Sequence, residues 1–201
     1  MDQTFGSSDI QVAGVVHNGI DTTAFPFNPK PGTYVVYLGD FHPNKGPLEA
    51  IRCARAAGVP IRLAGRESTY FHEVIKPEID GRDVQYVGEV DHDAKVSLLK
   101  DAMALLFISQ ALEACPLVLL ESMACGTPVL ALGRGPVPEI VTQGVGGIYA
   151  DDTVGLTKAV RSIAELDRTT VRQLAVDRFD VSIMVAGYLR IFEHVVERSH
   201  R

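Results

Sequence analysis

Short, largely apolar segments alternate with helical patterns along most of this chain of 201 residues. The apolar segments are 33–38, 61–64, 84–87, 103–108 and 128–132. Such segments are typical of strands that are covered by helices on both faces, and these strands form parallel sheets. The alternation therefore predicts an α/β fold with a doubly wound, Rossmann-like parallel sheet.

The chain divides into three predicted parts. Residues 1–32 form a leading segment and hinge-like linker, because the stretch 25–32 contains three prolines. Residues 33–180 contain the strands and helices of the α/β domain. Its predicted helices include an irregular one over 68–79, a short one that begins at Glu139 and one over 154–166. Residues 181–201 form a C-terminal helix with an apolar stripe, which packs either on this domain or on a domain that this sequence does not contain.

Composition excludes several classes of function. The formal net charge of -6 argues against a general binder of nucleic acid or of anionic membranes. No apolar run approaches the roughly 20 residues that a membrane span needs. The three cysteines form no C-x-x-C pair, which favours reduced thiols and a cytoplasmic protein. The histidines show no metal-ligand spacing, so no metal site is predicted.

The stretch 113–128 has the most informative pattern. Glu113 opens it, Glu121 repeats the carboxylate, and the residues between them are mostly apolar. Pro116 suits the first position of a buried helix, and Gly126 suits the residue just past its end. A helix N-terminus attracts anions. Two carboxylates beside such a site suit a ligand with both phosphates and hydroxyls, such as a nucleotide sugar.

Polar loops follow four of the predicted strands. They are 40–45, 89–91, 109–113 and 134–139. The carboxyl ends of parallel strands meet at one edge of the sheet, where ligands of such folds bind. We therefore expect these loops to converge although they are far apart in the sequence.

Three charged side chains are candidates for chemistry, each with a plainer alternative. Lys45 can hold a phosphate as a point charge, or can simply be a solvated loop lysine, because the 39–46 loop is neither a Walker A loop nor G-x-G-x-x-G. Glu113 and Glu121 can be an acid/base pair, or a capping carboxylate and an exposed helical glutamate. Apolar neighbours bury Glu121, and a half-buried carboxylate needs a partner, which favours a function.

Longer motifs cover nearly the whole chain. They are 18–21, 37–39, 45–46, 63–65, 87–90, 120–129, 138–141 and the pair Glu113 and Glu121. In these motifs the chain resembles the C-terminal, donor-binding domain of retaining GT-B glycosyltransferases of the large family 4 group. The resemblance implies an enzyme that transfers a hexose-type sugar from a nucleotide-diphospho-sugar to an acceptor. It also implies that no cofactor and no metal is needed.

The resemblance assigns roles to single residues. Glu113 corresponds to the glutamate that contacts the donor sugar where the bond breaks, and is the implied catalytic residue. Glu121 corresponds to the residue that accepts hydrogen bonds from the ribose hydroxyls. Lys45 corresponds to the basic residue that contacts the diphosphate. The backbone N–H groups of Leu117 and Val118 would hold phosphate and sugar.

The chain departs from the family pattern in three respects. The family usually has an arginine after the glycine that matches Gly39, whereas this donor-binding position is Asp40, whose charge repels a diphosphate. Pro116 stands where the family has glycine, so one N–H is missing. The N-terminal domain that carries the acceptor site is not in this sequence. We therefore expect the chain to be inactive alone, as a piece of a longer protein, a split subunit or a shortened gene product.

Two other interpretations remain open at this stage. One is a degenerate, non-catalytic binding or interaction module, to which Asp40 and Pro116 give weight. The other keeps the fold but changes the chemistry, for example to a nucleotide-sugar epimerase, and the long matched pattern speaks against it.

Overall fold

The computed structural model describes residues 12–111 and 113–199, so the first eleven residues of the predicted leading segment and the last two of the chain lie outside the described residues. The described strands, β1 to β6 in chain order, are Val35–Leu38, Ile61–Ala64, Val84–Tyr86, Ala104–Phe107, Val129–Leu132 and Gly147–Ala150. They form one sheet in the order β3-β2-β1-β4-β5-β6, with every pairing parallel. The predicted doubly wound parallel sheet is confirmed.

Helices cover both faces of the sheet. The described α-helices, α1 to α7 in chain order, are Pro47–Ala57, His92–Lys100, Leu117–Ala124, Val137–Ile140, Thr153–Ala159, Arg168–Phe179 and Val181–Ser199. Apolar residues of α2, α3 and α6 pack with Val36 and Leu105 on one face. Apolar residues of α1 and α5 pack with Val35 and Leu106 on the other. Neighbouring residues of a strand thus enter opposite cores, which explains why the strands are apolar throughout.

Some predicted boundaries are wrong by one turn or less. The helix predicted to begin at Pro116 begins one residue later, at Leu117, and Pro116 is its N-cap, because the Pro116 ψ of 105° lies outside the helical range. The irregular helix predicted over 68–79 is a π-helix at Phe71–Ile75 followed by a 3-10 turn at Lys76–Glu78. Pro77 accounts for this irregularity because it donates no helical hydrogen bond.

Two other helices differ from their predicted bounds. Helix α4 begins at Val137, two residues before the predicted start at Glu139. The helix predicted over 154–166 ends at Ala159 and is followed by a separate 3-10 turn. Helix boundaries rest on local caps that apolar periodicity does not reveal.

Arg168 of α6 holds three segments together from inside the protein. It is only 4% exposed. Its guanidinium donates to the carbonyls of Asn28, Lys100 and Ala102 at 2.7–2.9 Å and to the hydroxyl of Thr127 at 2.6 Å. The side chain therefore ties the end of α2 and the start of β5 to the leading segment.

The second half of the predicted linker also packs on the domain. Arg172 donates to the carbonyls of Thr22 and Phe25. Asp180 accepts from the Thr22 hydroxyl at 2.6 Å and pairs with Ile20 in an isolated β-bridge. These contacts attach part of the predicted linker to α6. The boundary between linker and domain at residue 32 stays a prediction.

Helix α7 leaves much of its apolar surface in solvent. Val16 and Gly19 lie beside Gly187 and Met184 of this helix. Its outer residues are 44–60% exposed, and they include Ile183, Val185, Leu189, Phe192 and Val196. In the described part of the chain, no helix is long and apolar enough to cross a membrane.

We expect Arg168→Met to lower the free energy of unfolding by about 3 kcal/mol, because it leaves buried carbonyls without donors. Urea denaturation would measure the change. Arg161→Met is the matched control, because Arg161 is exposed and its removal should cost less than about 0.5 kcal/mol. Equal losses for the two variants would contradict the structural role of Arg168.

Candidate functional site

A crevice opens between β1 and β4. Here the strand order switches, because β2 and β3 are added on one side of β1 whereas β4, β5 and β6 are added on the other. Helix α1 follows β1 on one face, and α3 follows β4 on the opposite face. The two strands are hydrogen-bonded neighbours, so their following loops diverge at the carboxyl edge. Ligands of doubly wound sheets bind in such crevices. A cavity of about 270 Å³ occupies this point.

The loop after β1 is built to present Lys45. The His42 side chain caps a 3-10 turn by accepting from the Asn44 N–H at 3.2 Å. Gly46 then has a φ of 70°, which favours glycine. A Cβ at Gly46 would lie 2.6 Å from the Ile108 carbonyl oxygen. Glycine thus allows the β1 loop to touch the β4 loop.

Lys45 and Glu113 meet across the crevice. The Lys45 Nζ lies 2.7 Å from Glu113 Oε1, and the Ser109 hydroxyl donates to the same oxygen at 2.9 Å. The two charged side chains are 32% and 20% exposed. The pair links the loops after β1 and β4, and it remains accessible to a ligand.

Helix α3 points its first turn at the same cavity. Pro116, Leu117 and Val118 line it together with Gly39 and Asp40. The N–H groups in the first turn of a helix have no partner within the helix. The predicted anion-facing amides, Leu117 and Val118, are therefore placed beside the lysine–glutamate pair.

A second cavity, of about 470 Å³, adjoins the first and shares Leu38, Gly39, Asp40 and Val118 with it. Glu121 lines this second cavity. The two cavities together form one groove, which we call the donor groove after the donor-binding domains that the sequence resembles. Every residue that the sequence indicated as a site residue lines it.

Lys95 is a groove residue that the sequence did not reveal. Its Nζ lies 2.6 Å from Glu121 Oε1, and the side chains of Lys95 and Glu121 are 27% and 13% exposed. The two residues come from helices α2 and α3, 26 positions apart. The half-buried Glu121 carboxylate signalled that a partner was needed, but the sequence did not identify which lysine.

Asp40 borders both halves of the donor groove. Its backbone carbonyl accepts from the Tyr37 hydroxyl at 2.8 Å. Burial, and to a lesser degree the Asp40 charge, raises the pKa of Tyr37 well above its usual value. The hydroxyl therefore stays protonated and holds the Asp40 backbone at the groove.

Three of the four predicted loops converge on the donor groove, and the fourth does not. The loops after β1, β3 and β4 contribute lining residues. The 134–139 loop lines neither cavity, and Glu139 instead lies 3.6 Å from His17 Nε2. This loop does lie at the predicted carboxyl edge, because β5 is parallel to β4, but it is one strand beyond the crevice.

The described residues contain no group of three or more histidines, cysteines or carboxylates that could hold a metal ion. Independence from metal ions stays a prediction.

Comparison with known families decides the class of the protein. A model of the group 1 glycosyl transferases matches residues 21–173, more than half of the chain. The chain belongs to the group 1 glycosyltransferases. Together with the fold, this match confirms the resemblance to the C-terminal domain of GT-B glycosyltransferases.

Relatives of this glycosyltransferase chain include several mycobacterial enzymes. Glycogen synthase of Mycobacterium tuberculosis H37Rv is 31% identical over 164 residues, which cover 75% of this chain and 39% of the relative. D-inositol 3-phosphate glycosyltransferase of Mycobacterium avium is 30% identical over 224 residues, which cover 92% and 51%. The chain thus spans about half, or less, of the length of these relatives.

Solved structures share the fold of this glycosyltransferase chain. AviGT4, a glycosyltransferase involved in avilamycin A biosynthesis, matches with a TM-score of 0.75 and 28% identity, covering 90% of this chain and 58% of that one. Anabaena Alr3699/HepE in complex with UDP-glucose matches with a TM-score of 0.75 and 21% identity, covering 92% and 57%.

Proposed function

We propose that this glycosyltransferase chain binds a nucleotide-diphospho-sugar in the donor groove and supplies the donor half of a retaining hexosyl transfer. One observation carries the proposal: the groove joins two carboxylates, Glu113 and Glu121, each paired with a lysine, beside the start of α3. A diphosphate needs cations and N–H groups, and sugar hydroxyls need carboxylate acceptors. The groove offers both kinds of group.

The first cavity suits the reacting end of the donor. Lys45 would neutralise charge that develops on the diphosphate as the bond to the sugar breaks, and the amides of Leu117 and Val118 would add hydrogen bonds. Glu113 would contact the sugar on the face where that bond breaks, as the catalytic residue. Lys45 forms an ion pair with Glu113 in this structure, so a bound diphosphate would compete with Glu113 for the lysine.

The second cavity suits the nucleoside. Glu121 would accept from the ribose hydroxyls there. Alr3699/HepE, which has the same fold, has been solved in complex with UDP and with UDP-glucose, and this supports a nucleoside diphosphate as ligand. The transfer is proposed to need no metal and no cofactor.

An N-terminal domain or subunit is the proposed partner, and activity would require it. The chain spans only part of its relatives, and α7 exposes an apolar face that such a domain could cover. The acceptor would bind on that partner. Cys53, Cys115 and Cys125 are free thiols, which supports a reducing compartment, and we propose the cytoplasm.

A non-catalytic binding module is the second candidate function. Asp40 in the groove and Pro116 at the start of α3 favour it, because one adds a negative charge and the other removes an N–H. Binding of a nucleoside diphosphate would favour the donor-binding function, and its absence would favour the non-catalytic module.

We expect weak binding of at least one of UDP, GDP and ADP, with a Kd on the order of 0.1–1 mM, because the partner domain contributes no contacts. Calorimetry or ligand-observed NMR would measure it. Glu121→Gln should weaken this binding, whereas Gln173→Glu on the outer surface of α6 should not. Absence of binding by all three nucleotides at millimolar concentration would refute the donor-binding proposal.

Asp40→Arg should tighten binding of the same nucleotide about fivefold or more, because it replaces a repelling charge with an attracting one, worth on the order of 1 kcal/mol. Asp177→Arg on α6 is the control for the change in net charge, since Asp177 is exposed and lies outside the groove. An unchanged affinity for Asp40→Arg would mean that Asp40 points away from the phosphates.

The exposed face of α7 should make this helix less stable than the core of the domain. We expect its amides to exchange with solvent hydrogen faster than those of β1 and β4, and faster than those of α6, which buries Val171 and Ala175. Hydrogen exchange followed by mass spectrometry would compare these segments. Exchange in α7 as slow as in the central strands would contradict a missing partner for this face.

A further inference from the structure

The ion pair between Lys95 and Glu121 is a polar contact of the donor groove to which the proposed roles assign no function. The Lys95 ammonium donates a hydrogen bond to Oε1 of Glu121, and no hydrogen bond to Oε2 is found among the described residues. The Glu121 side chain is 13% exposed, and it lies in the wall of the second cavity. One oxygen of the carboxylate is thus occupied by the protein, and the other is left for a ligand.

We propose that Lys95 is a positioning residue that orients the Glu121 carboxylate and thereby sets the preference of the groove for ribose over deoxyribose. The inference rests on the proposed nucleotide binding. It adds a residue that does not itself take the hydroxyls but decides where their acceptor stands.

Lys95 is well placed to fix a partner. It lies in the first turn of α2, where its backbone N–H donates to the Asp91 carbonyl at 3.0 Å. The Asp91 side chain caps the same helix by accepting from the Ala94 N–H at 2.9 Å. The backbone at the root of the lysine is therefore held, and only the side chain has to be ordered by the contact with Glu121.

Glu121 needs this help because of its position. The side chain has three rotatable bonds, and its neighbours Leu119, Leu120 and Met123 are fully buried. These apolar neighbours offer the carboxylate no hydrogen bond. A charge-assisted bond from Lys95 selects one orientation before the ligand arrives, so less freedom is lost on binding.

The lysine also offsets a charge problem. The donor groove is lined by four carboxylates, Asp40, Glu89, Glu113 and Glu121, against the cations Lys45, Arg66 and Lys95, and a diphosphate adds further negative charge. Lys95 neutralises Glu121 where the nucleoside would lie. The carboxylate can then accept hydroxyl hydrogen bonds without repelling the phosphates next to it.

The test measures a ratio of affinities. The nucleotide is whichever of UDP, GDP and ADP the chain binds most tightly, and it is compared with its 2′,3′-dideoxy analogue. The unaltered chain should prefer the ribonucleotide about tenfold, and Lys95→Met should reduce this preference to about threefold or less. Lys95→Arg should restore most of it, because arginine can also donate to Glu121.

Lys100→Met is the matched control. Lys100 lies at the end of the same helix, its Nζ is 4.0 Å from Asp101, and it lines neither cavity of the groove. Its removal should leave the preference for ribose unchanged. Urea denaturation of all variants would identify any loss of folding, and a change in stability alone would lower both affinities without changing their ratio.

Several results would overturn the inference. A tenfold preference that persists in Lys95→Met would show that Glu121 needs no positioning. An equal loss of affinity for both nucleotides would mean that Lys95 acts as a simple charge or through the fold. If the unaltered chain bound both nucleotides with equal affinity, the proposed contact between Glu121 and the ribose would be refuted, but the proposed binding of a diphosphate would stand. Binding of neither would refute the proposed function itself, and this inference with it.

Discussion

The switch in strand order between β1 and β4 is the constraint on which the rest of the site depends. Helices α1 and α3 leave these two strands for opposite faces, so the loops that precede them separate and leave a crevice. Gly46 allows the two loops to touch, and the pair of Lys45 and Glu113 joins them across the crevice. The lysine, the carboxylates and the first turn of α3 are therefore brought together by topology, although they lie far apart in the sequence.

Charge in the groove is arranged as pairs between different elements. Lys45 joins the β1 loop to Glu113 after β4, and Lys95 joins α2 to Glu121 in α3. Partly exposed pairs of this kind add little to stability, because solvent screens them. Their arrangement supports the proposed ligand, which would exchange contacts with them, and the Asp40 carboxylate would oppose a diphosphate there.

The outer parts of the protein depend on α6. Arg168 and Arg172 donate to carbonyls of the leading segment, and Asp180 holds Ile20 and Thr22. The segment before Ile20 and helix α7 lie side by side beyond this attachment. Their exposed apolar face and the shorter length of the chain relative to its relatives fit the same proposal, a further domain on that side.

The sequence by itself determined the class of fold, because buried strands alternating with helices have few other solutions, and the motif from Glu113 to Pro128 indicated the family that the comparison confirmed. It also located most of the groove residues, since loops after parallel strands meet at one edge. Only the tertiary structure decided that Pro116 caps α3, that the 134–139 loop lies outside the groove, and that Lys95 pairs with Glu121. The physical reason is that these features depend on helix packing and strand order, which local patterns of hydrophobicity and charge do not encode.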